Sequence, residues 1–310
     1  MKNFLFILFF AFAMFFNACQ GDKEAVLSID GKKSGSLPYI MKDGHAYVRA
    51  DKAAAALSLA YGSDISFNRT WDKLLVLIDP GHGGHDAGAF FDVKISTDAG
   101  GKKITKTKRM NEKDLNMIYA LEIKKAIEAD PRFEARLTRE NDIFLTLPYR
   151  SYMSRVLAAD FFVSVHVNSL GAKLNRECPK SGFEVYAVSE NALNSIPLSD
   201  FAGARKRKKR AEKFQKNAEN SYVLADLIAE RLKEAEIPIY SGKNVFTADF
   251  AVLRRSHVPA VLLETGFICN AGDREKLSSD DYREKTAQSV YLGLLDYAEN
   301  YEMLPDYVIP

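Results

Sequence analysis

Thiols and imidazoles are scarce in this chain. Three cysteines and five histidines occur among 310 residues. No two cysteines share the short spacing of a zinc-thiolate motif, which argues against a finger or ribbon built on sulfur. Charge of one sign is lacking too. The formal net charge is +2, too near neutral to point to nucleic acid. Gly81, Gly83 and Gly84 are followed by neither Gly-Lys-Ser/Thr nor Gly-x-Gly-x-x-Gly, so the usual phosphate-cradling loops find no support. What remains is ordinary globular material, 47% apolar and 27% charged. The length allows one large domain, or one with a small appendage.

The amino terminus points out of the cytoplasm. Lys2 precedes an unbroken apolar run over residues 4–16, too short for a membrane span and the right length for a signal-peptide core. Asn17, Ala18 and Cys19 follow. A small residue before a cysteine at this point resembles the lipobox of bacterial lipoproteins, with Cys19 left as a lipidated, membrane-anchored amino terminus. Phe16 and Asn17 depart from that pattern. Ordinary secretion with cleavage near Ala18, or an uncleaved anchor, are the alternatives. All three mean export. Gln20, where inner-membrane retention would favour aspartate, tilts the lipoprotein reading toward the outer membrane. Cys178 and Cys269 then remain, either as a disulfide or as two buried thiols.

Residues 1–19 thus form the signal and lipobox, and 20–71 a linker with a small α+β section. In that section Gly31 and Gly44 mark turns, Ala46-Tyr47-Val48 reads as a strand and residues 51–59 as an alanine-rich helix. From 72 to 303 the pattern is α/β. Continuous apolar runs at Leu74-Leu75-Val76-Leu77-Ile78, Phe161-Phe162-Val163-Ser164-Val165 and Ala260-Val261-Leu262-Leu263 read as strands buried on both faces. Further strands are expected over 133–137 and 183–188. Helices are expected over 116–129, 150–158, 221–232 and 283–301, the first burying Leu115, Ile118, Leu121, Ile123 and Ile127 on one side. This alternation predicts a largely parallel, twisted sheet with helices on both faces. Sites in such sheets lie at the carboxyl ends of the strands.

Three of those ends carry chemistry. The first strand runs into His82, the second ends on His166, and the last ends on Glu264. Two of only five histidines at strand ends is not what scatter predicts. Two histidines and one carboxylate form a common catalytic zinc set with a fourth position for water. The best candidate for that carboxylate is Glu112, which opens a helix after a polar loop. Asp79 is read as orienting His82 or capping the turn. His85 is read as a surface residue or a neighbour of a ligand, and His45 and His257 as structural.

Four segments together carry a resemblance: Ile78-Asp79-Pro80-Gly81-His82-Gly83-Gly84, Asn111-Glu112-Lys113-Asp114-Leu115-Asn116, Ser164-Val165-His166-Val167-Asn168 and Leu263-Glu264-Thr265-Gly266-Phe267-Ile268-Cys269-Asn270. In this order they resemble the signature blocks of the zinc-dependent N-acetylmuramoyl-L-alanine amidases, over residues 74–301. Thr138-Arg139 with Asp142, Arg150, residues 182–186 and Val252-Leu253-Arg254 agree. The resemblance implies one zinc ion per chain on His82, Glu112 and His166, with Glu264 as catalytic acid–base. It implies cleavage of the amide between N-acetylmuramic acid and L-alanine, in an exported or periplasmic protein whose partner is peptidoglycan and not nucleic acid. It raises Glu184 to a supporting residue and leaves Asn168 to shape a strand end. A zinc peptidase cutting within the stem peptide, and a catalytically idle wall-binding relative, are the competing readings.

Two stretches depart from the plain pattern. Residues 91–110 form a long lysine-rich loop between two proposed ligands, folded over the rim of the site. Residues 190–220 form an insert with the basic run Arg205-Lys206-Arg207-Lys208-Lys209-Arg210. The insert is either a solvated or wall-adhering face, or an autoinhibitory helix of the kind division-linked amidases carry, relieved by an activator protein.

Overall fold

A computed structural model describes residues 24–29, 32–42, 45–48, 73–99, 102–170, 175–189, 191–192 and 204–304. The signal, Cys19 and the expected helix over 51–59 lie outside these. The chain divides into two compact units, 1–70 with 196–206, and 71–195 with 207–310. In the first, β1 (Glu24–Ile29), β2 (Lys32–Lys42) and β3 (His45–Val48) form an antiparallel meander with a register break at Leu27 and Ser28. Among the described residues no helix is long and apolar enough to cross a membrane.

The second unit holds β4 (Leu74–Pro80), β5 (Phe90–Ala99), β6 (Lys102–Asn111), α1 (Glu112–Glu128), β7 (Phe133–Leu137), α2 (Leu147–Val156), β8 (Phe161–Asn168) and β9 (Glu184–Val188). There follow α3 (Ala204–Glu234), which belongs to this unit from Arg207 on, β10 (Phe246–Ala248), α4 (Ala251–Arg254), β11 (Ala260–Phe267), α5 (Ala271–Leu277) and α6 (Asp280–Asn300). Six strands make one sheet in the order β10-β9-β11-β8-β4-β7. Every pairing is parallel except β9 with β11. The fold is therefore α/β with a mostly parallel sheet. Because β4, β8 and β11 run the same way, their carboxyl ends share one edge. Reversed β9 brings its first residue, Glu184, to that edge as well.

Strand side chains alternate between faces, and the alternation sorts the sheet. Val76, Ile78, Val163, Val165, Val261 and Leu263 join one core with Leu115, Ile123, Leu224, Ile228 and Leu294 of α1, α3 and α6. The opposite face carries Asp79, Ser164, His166, Glu184 and Glu264 and is met by α2, whose Arg150 reaches Asp79 at 2.9 Å. Polar residues on a strand face that is otherwise deeply buried are the structural mark of the site.

Three expectations need correction. On α1 the buried stripe is Leu115, Asn116, Tyr119, Ala120, Ile123 and Ile127, whereas Ile118 and Leu121 are 43% and 50% exposed. At about 100° per residue, positions 118 and 121 turn away from a stripe set by 115, 119, 123 and 127. The supposed loop over 91–110 is a two-stranded antiparallel ribbon, β5 with β6. The helix expected over 221–232 begins at Ala204 and takes in the basic run, whose side chains lie outside the described residues.

Cys178 and Cys269 are bridged, with Cα atoms 5.3 Å apart. The bridge ties residues 175–178 to the exit of β11, where Cys178 N–H also donates to the Cys269 carbonyl at 2.9 Å. It closes a sequence separation of 91 residues. A loop of that size predicts that Cys178→Ser with Cys269→Ser lowers stability by about 2–5 kcal/mol. Equilibrium denaturation under oxidising conditions reads this, and an unchanged midpoint would contradict it.

Candidate active site

Strand β4 ends in Pro80, and the chain turns sharply through Gly81 to Gly84. His82 sits at φ 61° and Gly84 at φ 59°, a left-handed conformation that a histidine adopts only where its surroundings hold it. Two buried arginines do so. Arg139 donates to the carbonyls of Pro80 (2.9 Å) and Gly81 (3.0 Å). Arg150 donates to those of Pro80 (2.9 Å) and His82 (2.6 Å). Asp79 neutralises Arg150 and accepts from Thr138 Oγ1 and Ser164 Oγ. Burial opposes ionisation of Asp79, but Arg150 and Thr138 outweigh it and hold its carboxyl below the usual range. Asp79 thus anchors the arginine that holds the turn and does not orient His82.

Asp86 does that instead. The turn closes through Gly83 N–H to the Asp86 carbonyl at 2.8 Å, and His82 Nδ1 donates to Asp86 Oδ2 at 2.8 Å. This fixes the tautomer and leaves His82 Nε2 aimed at Glu112 Oε1, 3.1 Å away. The same carboxylate oxygen lies 2.9 Å from His166 Nδ1. Glu112 opens α1, and its other oxygen accepts from Ala89 N–H at 2.8 Å. The three ligand-type atoms fall within 4.8 Å of one another.

The donor set fits a divalent cation. With Nδ1–H committed to Asp86, the lone pair of neutral His82 faces a carboxylate oxygen, a repulsive placement that a cation between them relieves. Without one, a proton takes that part. Burial would lower the His82 pKa, yet Glu112 and Asp86 together raise it. Burial likewise opposes charge on Glu112, but hydrogen bonds from His166 and His82 hold its carboxyl far below the usual range. Two imidazoles and one carboxylate are ligands of a catalytic zinc type. Because an orienting hydrogen bond of this kind sustains metal affinity, Asp86→Ala is expected to weaken binding about 10–100-fold. Competition against a chromophoric chelator measures it, and wild-type affinity would remove Asp86 from this role.

Glu264 shares the cleft. It pairs in register with His166 of β8 on one side and Glu184 of β9 on the other, and the β8–β11 register breaks just beyond it. Its Oε2 is buried without a hydrogen-bond partner among the described residues. Burial pushes its pKa well above the carboxylate range, and the like charges of Glu112 and Glu184 add to that. Glu184 itself is buried, accepts from Asn168 Nδ2 and Tyr186 Oη, and is raised by burial. The cleft encloses about 310 Å³, with Leu147, Phe250 and Val252 forming an apolar wall beside the polar set.

The structure therefore brings His82, Glu112, His166 and Glu264 to one cleft. His85 is outside it, exposed and tilted against Phe144, with ring centroids 4.3 Å apart and planes at 38°. Asp86 escaped the sequence reading, as did the hydrogen bonds by which Asn168 and Tyr186 hold Glu184, the residue expected only to support the site. An acidic residue four positions after a histidine in a tight turn was a usable signal for the first. The second depends on β9 running backwards, which strand composition does not reveal.

A family model described as N-acetylmuramoyl-L-alanine amidase matches residues 76–296. The chain is 28% identical over 262 residues to AmiB of Haemophilus influenzae, covering 78% of this chain and 56% of that protein. It is 27% identical over 239 residues to the N-acetylmuramoyl-L-alanine amidase AmiC of Escherichia coli, covering 72% and 52%. It thus spans about half the length of these two relatives. Among solved structures, the amidase AmiC2 of Nostoc punctiforme is 27% identical with a TM-score of 0.51, covering 73% of this chain and 97% of that one. Ami1 of Mycobacterium smegmatis shares the fold, at 21% identity and a TM-score of 0.52.

Proposed function

The chain belongs to the N-acetylmuramoyl-L-alanine amidase family, and from that membership we propose that it hydrolyses the amide joining N-acetylmuramic acid to L-alanine in peptidoglycan, with one zinc ion per chain. The catalytic domain spans residues 72–303. His82, Glu112 and His166 are the ligands, and Glu264 is the acid–base. The observation that carries the reading is the convergence of three ligand atoms within 4.8 Å beside Glu264, whose Oε2 is buried without a hydrogen-bond partner among the described residues.

An amide resists hydrolysis because its carbonyl is a poor electrophile and its amine a poor leaving group. When bound, zinc supplies Lewis acidity at the carbonyl and lowers the pKa of water at the site to about 7. Glu264 takes a proton from the attacking water and returns it to the departing nitrogen, so water adds across the C–N bond with no net proton consumed by the enzyme. Asp86 keeps His82 in its ligating tautomer. Arg139 and Arg150 keep the turn from relaxing, and the apolar wall of Leu147, Phe250 and Val252 limits competing water.

The protein is proposed to act outside the cytoplasm, tethered to the outer membrane through Cys19. The signal-like start and a bridged cysteine pair support export, because disulfides persist in oxidising compartments. Elemental analysis of the purified full chain tests the metal. One zinc per chain is expected, with activity lost on chelation and restored by zinc. Full activity in metal-free protein would overturn the proposal.

A further inference from the structure

The β5–β6 ribbon takes no part in the main sheet, yet it is inserted between two proposed ligands: it starts at Phe90, just past the His82 turn, and ends at Asn111, next to Glu112. Its foot is pinned. Asp92 and Arg109, cross-strand partners, form a paired salt bridge at 2.7 and 2.8 Å. Arg109 covers the Phe90 ring at 4.2 Å, and Arg274 covers Phe91 at 3.6 Å. Asp92 N–H donates to Asn175 Oδ1 at 2.7 Å. A free two-stranded ribbon is marginal in water, so such fastening defines where the ribbon's faces point.

Register assigns those faces. Phe91 with Met110, Val93 with Lys108, and Ile95 with Lys106 lie on one side. Phe91 and Met110 pack on the core, so the outer part of the same side presents two apolar residues, one of them 43% exposed, each beside an exposed lysine. Among the described residues neither lysine has an acidic partner. Lys94 and Thr107 occupy the opposite side.

We propose that the face made by Val93, Ile95, Lys106 and Lys108 is the seat of the acidic stem peptide, the methyl groups lying on Val93 and Ile95, the distal carboxylates on Lys108, and Lys106 extending the positive field beyond them. The proposal rests on the peptidoglycan reading above. Length supports it. Lys108 is four residues from Glu112, about 13 Å along a strand, and an extended peptide of four or five residues spans about 13–17 Å. A peptide attached at the scissile bond therefore reaches Lys108 with its distal carboxylates, while Lys106, six residues from Glu112 and about 20 Å along the strand, lies just past its end. Ordinary edge protection by lysine would serve on either face, which gives the test its control.

In the full chain, Lys108→Gln should raise KM on solubilised wall fragments about 3–10-fold and Lys106→Gln/Lys108→Gln about 10-fold or more, with kcat unchanged and the salt dependence of KM flattened. Lys94→Gln, the same charge change on the opposite side, should stay within about twofold. Cosedimentation of metal-free protein with insoluble peptidoglycan reads binding without catalysis. The double variant should pellet less, and wild type should pellet less when the wall carboxylates are amidated. Equal effects from Lys94→Gln, indifference to amidation, or retention on anionic phospholipid vesicles in place of peptidoglycan would each overturn the proposal. If wild type binds in this way but releases no L-alanine amine, the amidase reading fails and the docking face stands.

Discussion

Glu264→Gln is expected to keep its zinc and lose roughly 10²–10⁴-fold in kcat, the span that a positioned acid–base contributes. The amide is nearly isosteric with the carboxyl, so the β8–β11 register around it has no reason to change. The variant should also melt no lower than wild type. A buried acid whose folded pKa is raised loses stability as pH rises above its unfolded value, because ionisation is penalised only in the folded state. Glutamine has no such ionisation. If Glu264 is the proposed base, the same raised pKa is expected to set the acid limb of the pH–rate profile. The base must be ionised to work, so activity falls as pH drops through the Glu264 pKa. Burial, then Glu112, then Glu184 push that pKa up, and a divalent cation beside it draws it back. Glu184→Gln removes one like charge and should shift the limb to lower pH. Substantial turnover by Glu264→Gln, in steady-state assays with metal content checked, would take Glu264 out of the mechanism.

Gly81→Ala should be nearly as damaging without replacing any proposed ligand. A Cβ at Gly81 would stand 2.2 Å from His166 Cε1 and 2.4 Å from Nε2. The backbone has little freedom to retreat. Gly81 N–H donates to the Val165 carbonyl at 2.9 Å, and its own carbonyl accepts from Arg139 at 3.0 Å and Asn116 at 3.3 Å. The imidazole must therefore swing out of the cluster. Loss of at least ~100-fold in kcat/KM is expected from a ligand displaced by an ångström or more, together with weaker zinc retention on dialysis. Gly272→Ala, in α5, is the control. Its nearest contact would be an ordinary 3.4 Å to Asn270 Oδ1, so metal and activity should hold. Wild-type zinc retention in Gly81→Ala would show that the turn tolerates more play than its hydrogen bonds indicate.

The reacting edge was legible because it depends on strand order and on scarcity. Apolar runs that end in His82, His166 and Glu264 become β4, β8 and β11, which are parallel and adjacent. Glu112 was legible as a helix opener, although the helix starts there and not at residue 116. What escaped depends on pairings between distant residues. Asp79 and Asp86 are both acidic neighbours of His82 in sequence, and only the fold of the turn sends one to Arg150 and the other to the imidazole. Ile118 and Leu121 look like core by composition and fail by phase. The ribbon left a signal in Gly100-Gly101, flanked by β-branched residues at alternating positions (Val93, Ile95 and Thr97; Thr105 and Thr107), a hairpin pattern. Its lysines argued for loop, because charge content says nothing about cross-strand register.

Mass spectrometry of wall fragments after digestion by the full chain, with and without a chelator, tests the central claim most directly. Free stem peptides with a new L-alanine amino terminus are expected, absent when the metal is removed. Shortened stems still attached to muramic acid, or cleavage that survives chelation, would contradict it.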